Sequence, residues 1–332
     1  MGEKEIRVPR SILTSAVLAL ALVAAAMPAA SQTSVTDDDG SAPAVVHNTW
    51  TTGANMPTAR EGPAVGAIGH NIYAVGGITA PYGTILSVNE IYNTKKNTWT
   101  TGAALPTPTC YAVGAVVNGI LYVIGGSYGT GEYTNTVYAY DPVANAWSTM
   151  APMLTARNSL SAVVDKGIIY VIGGYSGGRD TTVESYNPAT NTWTEEAPML
   201  VGKSTANVGL LGGMILSAGG LSNSGVTGDN EGYKVKKSKW TELTADPTVR
   251  GASCAWTIGA LFYVAGGVLG SGETIAVNEA YSAKTNSWTT LAPMPLDTWY
   301  PGSALVAGRL YCLGGYNNNT NSAVDAVQIY QP

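Results

Sequence analysis

Six positions along the chain carry residues suited to holding an anion. They are Arg60, Thr109, Arg157, Lys203, Arg250 and Thr298, spaced 49, 48, 46, 47 and 48 residues apart. Four of the six are cations. Converging cations hold a carboxylate well, and the planar fork of arginine does so in bidentate fashion. Beside them stand Glu61, Tyr111, Trp299 and Tyr300, which break the pattern. Flat aromatic faces mixed with hydroxyls and amides suit a sugar ring or an adaptable protein interface. The expected ligand-binding set is therefore Arg60, Glu61, Tyr111, Arg157, Lys203, Arg250, Trp299 and Tyr300. Glu90, Glu184, Glu231 and Glu279 also recur. A carboxylate found in most units is expected to belong to the unit itself. The singular carboxylates are Glu61, Glu132, Glu273 and Asp297. No two of them can be paired from sequence, so no catalytic residue is assigned.

The inventory excludes several chemistries. With only His47 and His70, a copper site is not expected. No P-loop, dinucleotide fingerprint, zinc spacing or Ser/His/Asp set can be assembled, so no metal and no cofactor are expected. The net charge is −5, and the only basic run is the short stretch 234–239. Nucleic acid is excluded as a partner, because phosphate binding needs a basic stripe. Cys110, Cys254 and Cys312 are too few and too scattered for a disulfide framework. They are expected to pack as small buried hydrophobes, at least one of them a free thiol, leaving the fold to stand on packing alone.

The elements that position these residues follow from an internal repeat. Paired glycines stand at 76–77, 125–126, 173–174, 219–220, 266–267 and 314–315. Trp50, Trp99, Trp147, Trp193, Trp240 and Trp288 keep the same spacings. A tyrosine precedes five of these tryptophans by seven residues: Tyr92, Tyr140, Tyr186, Tyr233 and Tyr281. Tyr330 has no tryptophan after it, and Trp50 has no tyrosine before it. The two fit together if the first strand completes the last unit. The segments before the glycine pairs, such as Ile72–Val75 and Ile169–Ile172, are continuously apolar, as strands buried on both faces must be. Asn48, Asn97, Asn145, Asn191 and Asn286 stand two residues before a tryptophan, where asparagine suits a tight left-handed turn.

The glycine pair, the spaced tyrosine and tryptophan, and the period of about 48 residues resemble the kelch repeat. The resemblance implies an all-β fold: a six-bladed propeller of four-stranded antiparallel blades, closed by an N-terminal outer strand. It spans residues 46–332. Upstream, residues 1–31 read as a secretory signal peptide, with Lys4, Arg7 and Arg10 before an apolar run. Residues 32–45 read as a disordered linker. The mature protein is expected to be secreted, periplasmic or on the cell surface, monomeric, and without a membrane span.

Lettering the strands a to d from the axis outward, the d-to-a and b-to-c loops share one face. From the second glycine to the tyrosine the counts are 15, 14, 12, 13, 14 and 15 residues, and the other segments are constant. One face therefore varies on a fixed scaffold, as loop-borne binding sites do. Tyr82, Tyr128, Tyr133, Tyr175 and Tyr316 fall in its b-to-c loops, with Ser176, Arg179, Asp180, Asn317, Asn318, Asn319 and Thr320 around them. Trp256 replaces a small residue of strand a and is expected to fill a core gap rather than to plug the channel. The function expected is binding of a glycan or an acidic protein segment through this face. The resemblance implies that some kelch propellers bind acidic peptides with arginines at this rim. It also offers two alternatives: a carbohydrate isomerase similar to sialic-acid mutarotases, and a structural envelope protein.

Overall fold

The structure, a computed structural model, describes residues 47–79, 83–129 and 131–332. The expected signal peptide and linker lie outside the described residues, as does Tyr82. Six sheets have four antiparallel strands each. The first runs outward as Ala64–Ile68, Asn71–Val75, Asn89–Asn93 and Thr98–Gly102. The last runs Gly302–Val306, Arg309–Leu313, Val327–Gln331 and then Thr49–Thr52, with Trp50 opposite Tyr330. Each inner strand packs against the next, and Gly302–Val306 packs back against Ala64–Ile68.

The repeated residues explain both the hairpins and the contacts between blades. Asn48, Asn97, Asn145, Asn191 and Asn286 adopt φ between 49° and 61°, the left-handed turn expected of them. The Oδ1 of Asn145 accepts from the Tyr140 hydroxyl at 2.6 Å and from the backbone N–H of Ala103, in the neighbouring blade, at 2.7 Å. Trp147 Nε1 donates to the carbonyl of that same Ala103 at 2.9 Å. One alanine is thus clamped twice. Asn97 with Trp99, Asn191 with Trp193, Asn286 with Trp288 and Asn48 with Trp50 repeat the arrangement. In the fourth blade Ser238 holds the turn, and Tyr233 donates to Glu196 of the third blade instead, at 2.8 Å.

The glycine pair serves a second junction. Gly77 N–H donates to the Thr109 carbonyl of the next blade at 2.9 Å. Gly76 is left-handed at φ 65°, and a Cβ there would collide with that same carbonyl oxygen. Six apolar clusters lie between neighbouring blades. The core is therefore a ring of interfaces rather than a single centre.

One expectation is corrected. Cys254, on the inner strand Cys254–Ile258, forms a disulfide with Cys312, on Arg309–Leu313 of the next blade. Cys110 is free and buried, and burial raises its thiol to about 12. The fold is thus packed and covalently stapled across the cluster beside its last blade. Unfolded without reductant, the protein should expose one titratable thiol; after reduction, all three cysteines should react. Reduction should also lower stability by about 2–4 kcal/mol in a denaturant titration.

Candidate functional site

The four recurring cations are buried inside the blades. Arg60, Arg157, Lys203 and Arg250 have no exposed surface. Arg60 pairs with Glu90, Arg157 with Glu184 at 3.1 Å, and Lys203 with Glu231 at 3.0 Å. Arg250 meets Glu279 at 2.6 Å and a second carboxylate, Asp246, at 3.0 Å. Further donors of these groups point at backbone. Arg157 Nη1 bonds the carbonyls of Gly173 and Thr182, and Lys203 Nζ those of Ser217 and Asp229. Burial lowers the pKa of Arg60, Arg157 and Lys203, and the partner glutamate opposes that shift in each. The expected ring of ligand-binding cations is therefore corrected. These groups have their carboxylates already, and they tie the loops of the blade together.

The sequence holds a sign of this. The second and sixth units lack both the cation and the glutamate. There Thr109 faces a unit with Tyr138, and Thr298 one with Gln328. Gln328 does the backbone work of the glutamate, accepting from Leu296 N–H at 2.8 Å as Glu184 accepts from Leu154 N–H at 2.8 Å. Cation and carboxylate come and go together because either one alone would be a buried unpaired charge.

The mouth of the propeller is built two residues further on. Gly62, Tyr111, Ser159, Thr205, Ala252 and Tyr300 all adopt φ between 51° and 59°. Each N–H donates to the carbonyl of the equivalent residue in the preceding blade, at 2.7–3.1 Å, and Gly62 donates to Tyr300. Six bonds make a circle. Tyr111 and Tyr300, from the blades on either side of Gly62, bring their rings to 4.9 Å between centroids. The Tyr300 hydroxyl reaches Ser159 of the third blade at 3.4 Å. The Tyr111 hydroxyl donates to Glu61 at 2.8 Å. Trp299 lies 4.8 Å from the Tyr300 ring and edge-on to Tyr316 at 6.2 Å. Four members of the expected set, Glu61, Tyr111, Trp299 and Tyr300, thus come together at one aromatic lid.

The electrostatics of the lid are those of a desolvated site. Burial raises the Glu61 carboxyl, with the Tyr111 hydrogen bond opposing, and its Oε2 has no partner among the described residues. Burial pushes Tyr300 up to about 12. Arg179 opposes that rise and is a residue the sequence reading left among loop neighbours. It stands 4.9 Å from the Tyr175 ring centroid, which in turn meets Tyr133 edge-on at 5.4 Å. Arg179 has no ion pair among the described residues. Its singularity was the signal: it has no counterpart at the other five units' equivalent loops. Asp297 is taken up locally, accepting from Thr274, Asn317 and Asn319. Among the described residues no group of three His, Cys, Asp or Glu is placed to hold a metal.

Below the lid lies a cavity of about 650 Å³ lined by the six inner strands. Trp256 stands on its wall, 37% exposed. The expectation that Trp256 fills a core gap is corrected: the ring borders open space.

Six four-stranded antiparallel sheets joined edge to axis define a β-propeller with a capped central channel. The chain is a kelch-repeat protein. Residues 44–205 match the family described as the KLHDC2/KLHL20/DRC7 Kelch-repeats domain, and residues 254–295 match the Kelch motif. Kelch-like protein 36 of Rattus norvegicus is 34% identical over 103 residues, which is 30% of this chain and 17% of that protein. Kelch-like protein terF of Aspergillus terreus is 29% identical over 116 residues, 34% of this chain and 25% of that protein. The matches thus span a quarter or less of these relatives' own lengths. A solved structure titled "Structure of YjhT" superposes with a TM-score of 0.72 at 18% identity, covering 83% of this chain and 96% of that one.

The internal comparison of blades predicts a sign reversal in a mutant cycle. Arg157→Ala or Glu184→Ala alone should cost about 3–5 kcal/mol in chemical denaturation, because each leaves a buried charge unpaired. The double variant Arg157→Thr/Glu184→Gln, which copies the sixth blade, should cost clearly less than either single change.

Proposed function

We propose that this chain is an exported kelch propeller that binds a partner through its variable face. The ligand bears a carboxylate, presented by an acidic protein segment or an acidic glycan. The observation that carries this reading is Arg179: a guanidinium stacked on Tyr175, without an ion pair, beside the Tyr111–Tyr300–Trp299 lid. A cation preset on an aromatic face offers its fork to a carboxylate, while the neighbouring rings supply contact area. Arg179 therefore takes the role that Arg60, Arg157, Lys203 and Arg250 had in the sequence reading. Export is supported by the Cys254–Cys312 disulfide, a bond that persists in oxidising compartments. The kelch family favours a binding role, since loop variation on a constant scaffold is how such faces are diversified.

The test is an array of acidic peptides and acidic glycans probed with the full chain. Binding should fall at least tenfold in Arg179→Ala and in Trp299→Ala, and should weaken with salt. A bound ligand whose affinity ignores both substitutions would remove the proposal.

Glu61 favours a second reading, acid catalysis on a sugar. Its carboxyl is desolvated, its pKa is raised and one oxygen is unpartnered. A raised pKa keeps the proton to higher pH, so a rate that needs Glu61 as acid would be full at low pH and decline as pH rises through that value. Anomer exchange of free sugars followed by NMR, with Glu61→Gln as control, decides it. A rate equal to buffer excludes this chemistry.

A further inference from the structure

The cavity beneath the lid has a character of its own. Its lining runs from Tyr111 and Tyr300 at one end to Gly259, in an exposed a-to-b turn, at the other. The lid belongs to the variable face, so the cavity faces the opposite side of the ring. No lining residue is charged. Thr205 Oγ1, Asn207 Nδ2, Ser253 Oγ and Thr257 Oγ1, on lining residues of the fourth and fifth blades, have no partner and no accessible surface, so they lie within the blades rather than on the open channel. Trp256 adds a flat aromatic face to the same wall. The inner strands are hydrogen-bonded on one edge only, so their free edges bring further N–H and C=O groups to the cavity.

We infer that the central channel is a second binding site, entered from the a-to-b face, for a neutral hydroxyl-rich molecule of mono- or disaccharide size. The free backbone N–H and C=O groups of the inner edges, with no charge beside them, select hydroxyls over carboxylates, for a charged group would be desolvated there with nothing to pair it. A tryptophan face stacks on the apolar side of a sugar ring. The volume falls within the roughly 300–1,000 Å³ of small-molecule sites. The wall is asymmetric in a ring that is otherwise repetitive. Positions equivalent to Trp256 are Gly66, Ala115, Val163, Gly209 and Ala304. Scaffold needs are shared by all blades, so an aromatic confined to one blade and facing open space serves something other than the scaffold.

The test uses the full chain and a panel of D-glucose, D-galactose and maltose, with D-glucuronate as the charged control, read by saturation-transfer NMR and tryptophan fluorescence. At least one neutral sugar should bind, D-glucuronate more weakly than its neutral counterpart. Trp256→Ala should weaken binding about tenfold or more, and Trp299→Ala should leave it unchanged. Trp256→Val, which copies Val163 at the equivalent place in the third blade, decides the matter if Trp256→Ala does not fold. The inference is overturned if no neutral sugar binds up to about 50 mM, if binding survives the Trp256 changes, or if D-glucuronate binds as well as glucose. The Trp299 arm separates this site from the one proposed on the variable face: loss of binding there would place the sugar at the lid and not in the channel.

Discussion

Six backbone hydrogen bonds at the axis constrain everything else in this molecule. They join Gly62, Tyr111, Ser159, Thr205, Ala252 and Tyr300 head to tail, and the last donates to the first. A circle of this kind forms only if every blade presents the same residue at the same height and angle. The left-handed backbone at all six positions is the local consequence. It holds even where the residue is tyrosine, for which such angles are unfavourable by about 1–2 kcal/mol. The outer clamps, in which asparagine and tryptophan grip one residue of the neighbouring blade, and the glycine N–H bonds midway out, hold the blades at the matching angle. Three concentric sets of junctions thus fix one geometry.

That geometry explains why the buried ion pairs are where they are. The loop that feeds each inner strand must cross the top of a blade, leaving carbonyls and N–H groups pointing inward. Arg157 satisfies the carbonyls of Gly173 and Thr182, while Glu184 satisfies the N–H groups of Leu154 and Thr155. A cation and an anion together cover both kinds of orphan group, and each neutralises the other. In the fifth blade Asp246 takes the position that Met56, Leu105, Met153, Met199 and Met294 hold elsewhere, and Arg250 is held from two sides. There burial, with Asp246 adding to it and Arg250 opposing, raises the Glu279 carboxyl.

The repeat made the fold legible before any coordinates. The leftover Trp50 and Tyr330 announced their pairing because each lacked its partner in sequence. The asparagine turns were legible for the same reason: one short-range requirement recurred five times. The binding cations were misread because recurrence was applied unevenly. Recurring glutamates were assigned to the scaffold, and recurring arginines to a ligand, although both are absent from the same two units. The disulfide was illegible for a geometric reason. Cys254 and Cys312 are 58 residues apart, not one repeat, and they occupy different strands of adjacent blades. Only the way one blade lies over the next brings them together. Arg179 was visible but unweighted, since nothing in the sequence says that a long side chain will lie on the ring four residues before it.

The two ends of the axis have been given opposite chemistry by few residues. At the mouth, Gly62 leaves space for the rings of Tyr111 and Tyr300, and a Cβ there would strike the Tyr111 ring. Two tyrosines in left-handed backbone, flanking the single glycine of the circle, form a lid that no repeated structural need requires, since Ser159, Thr205 and Ala252 complete the same circle with small side chains. Strained bulky residues persist where something other than stability retains them. Their rings separate a face carrying Arg179 from a channel with no charge on its wall. A ring of near-identical blades has no reason of its own to distinguish its two ends so sharply. The difference arises from departures at positions 62, 111, 179, 256 and 300, each on a backbone that the other blades show to be sound without them.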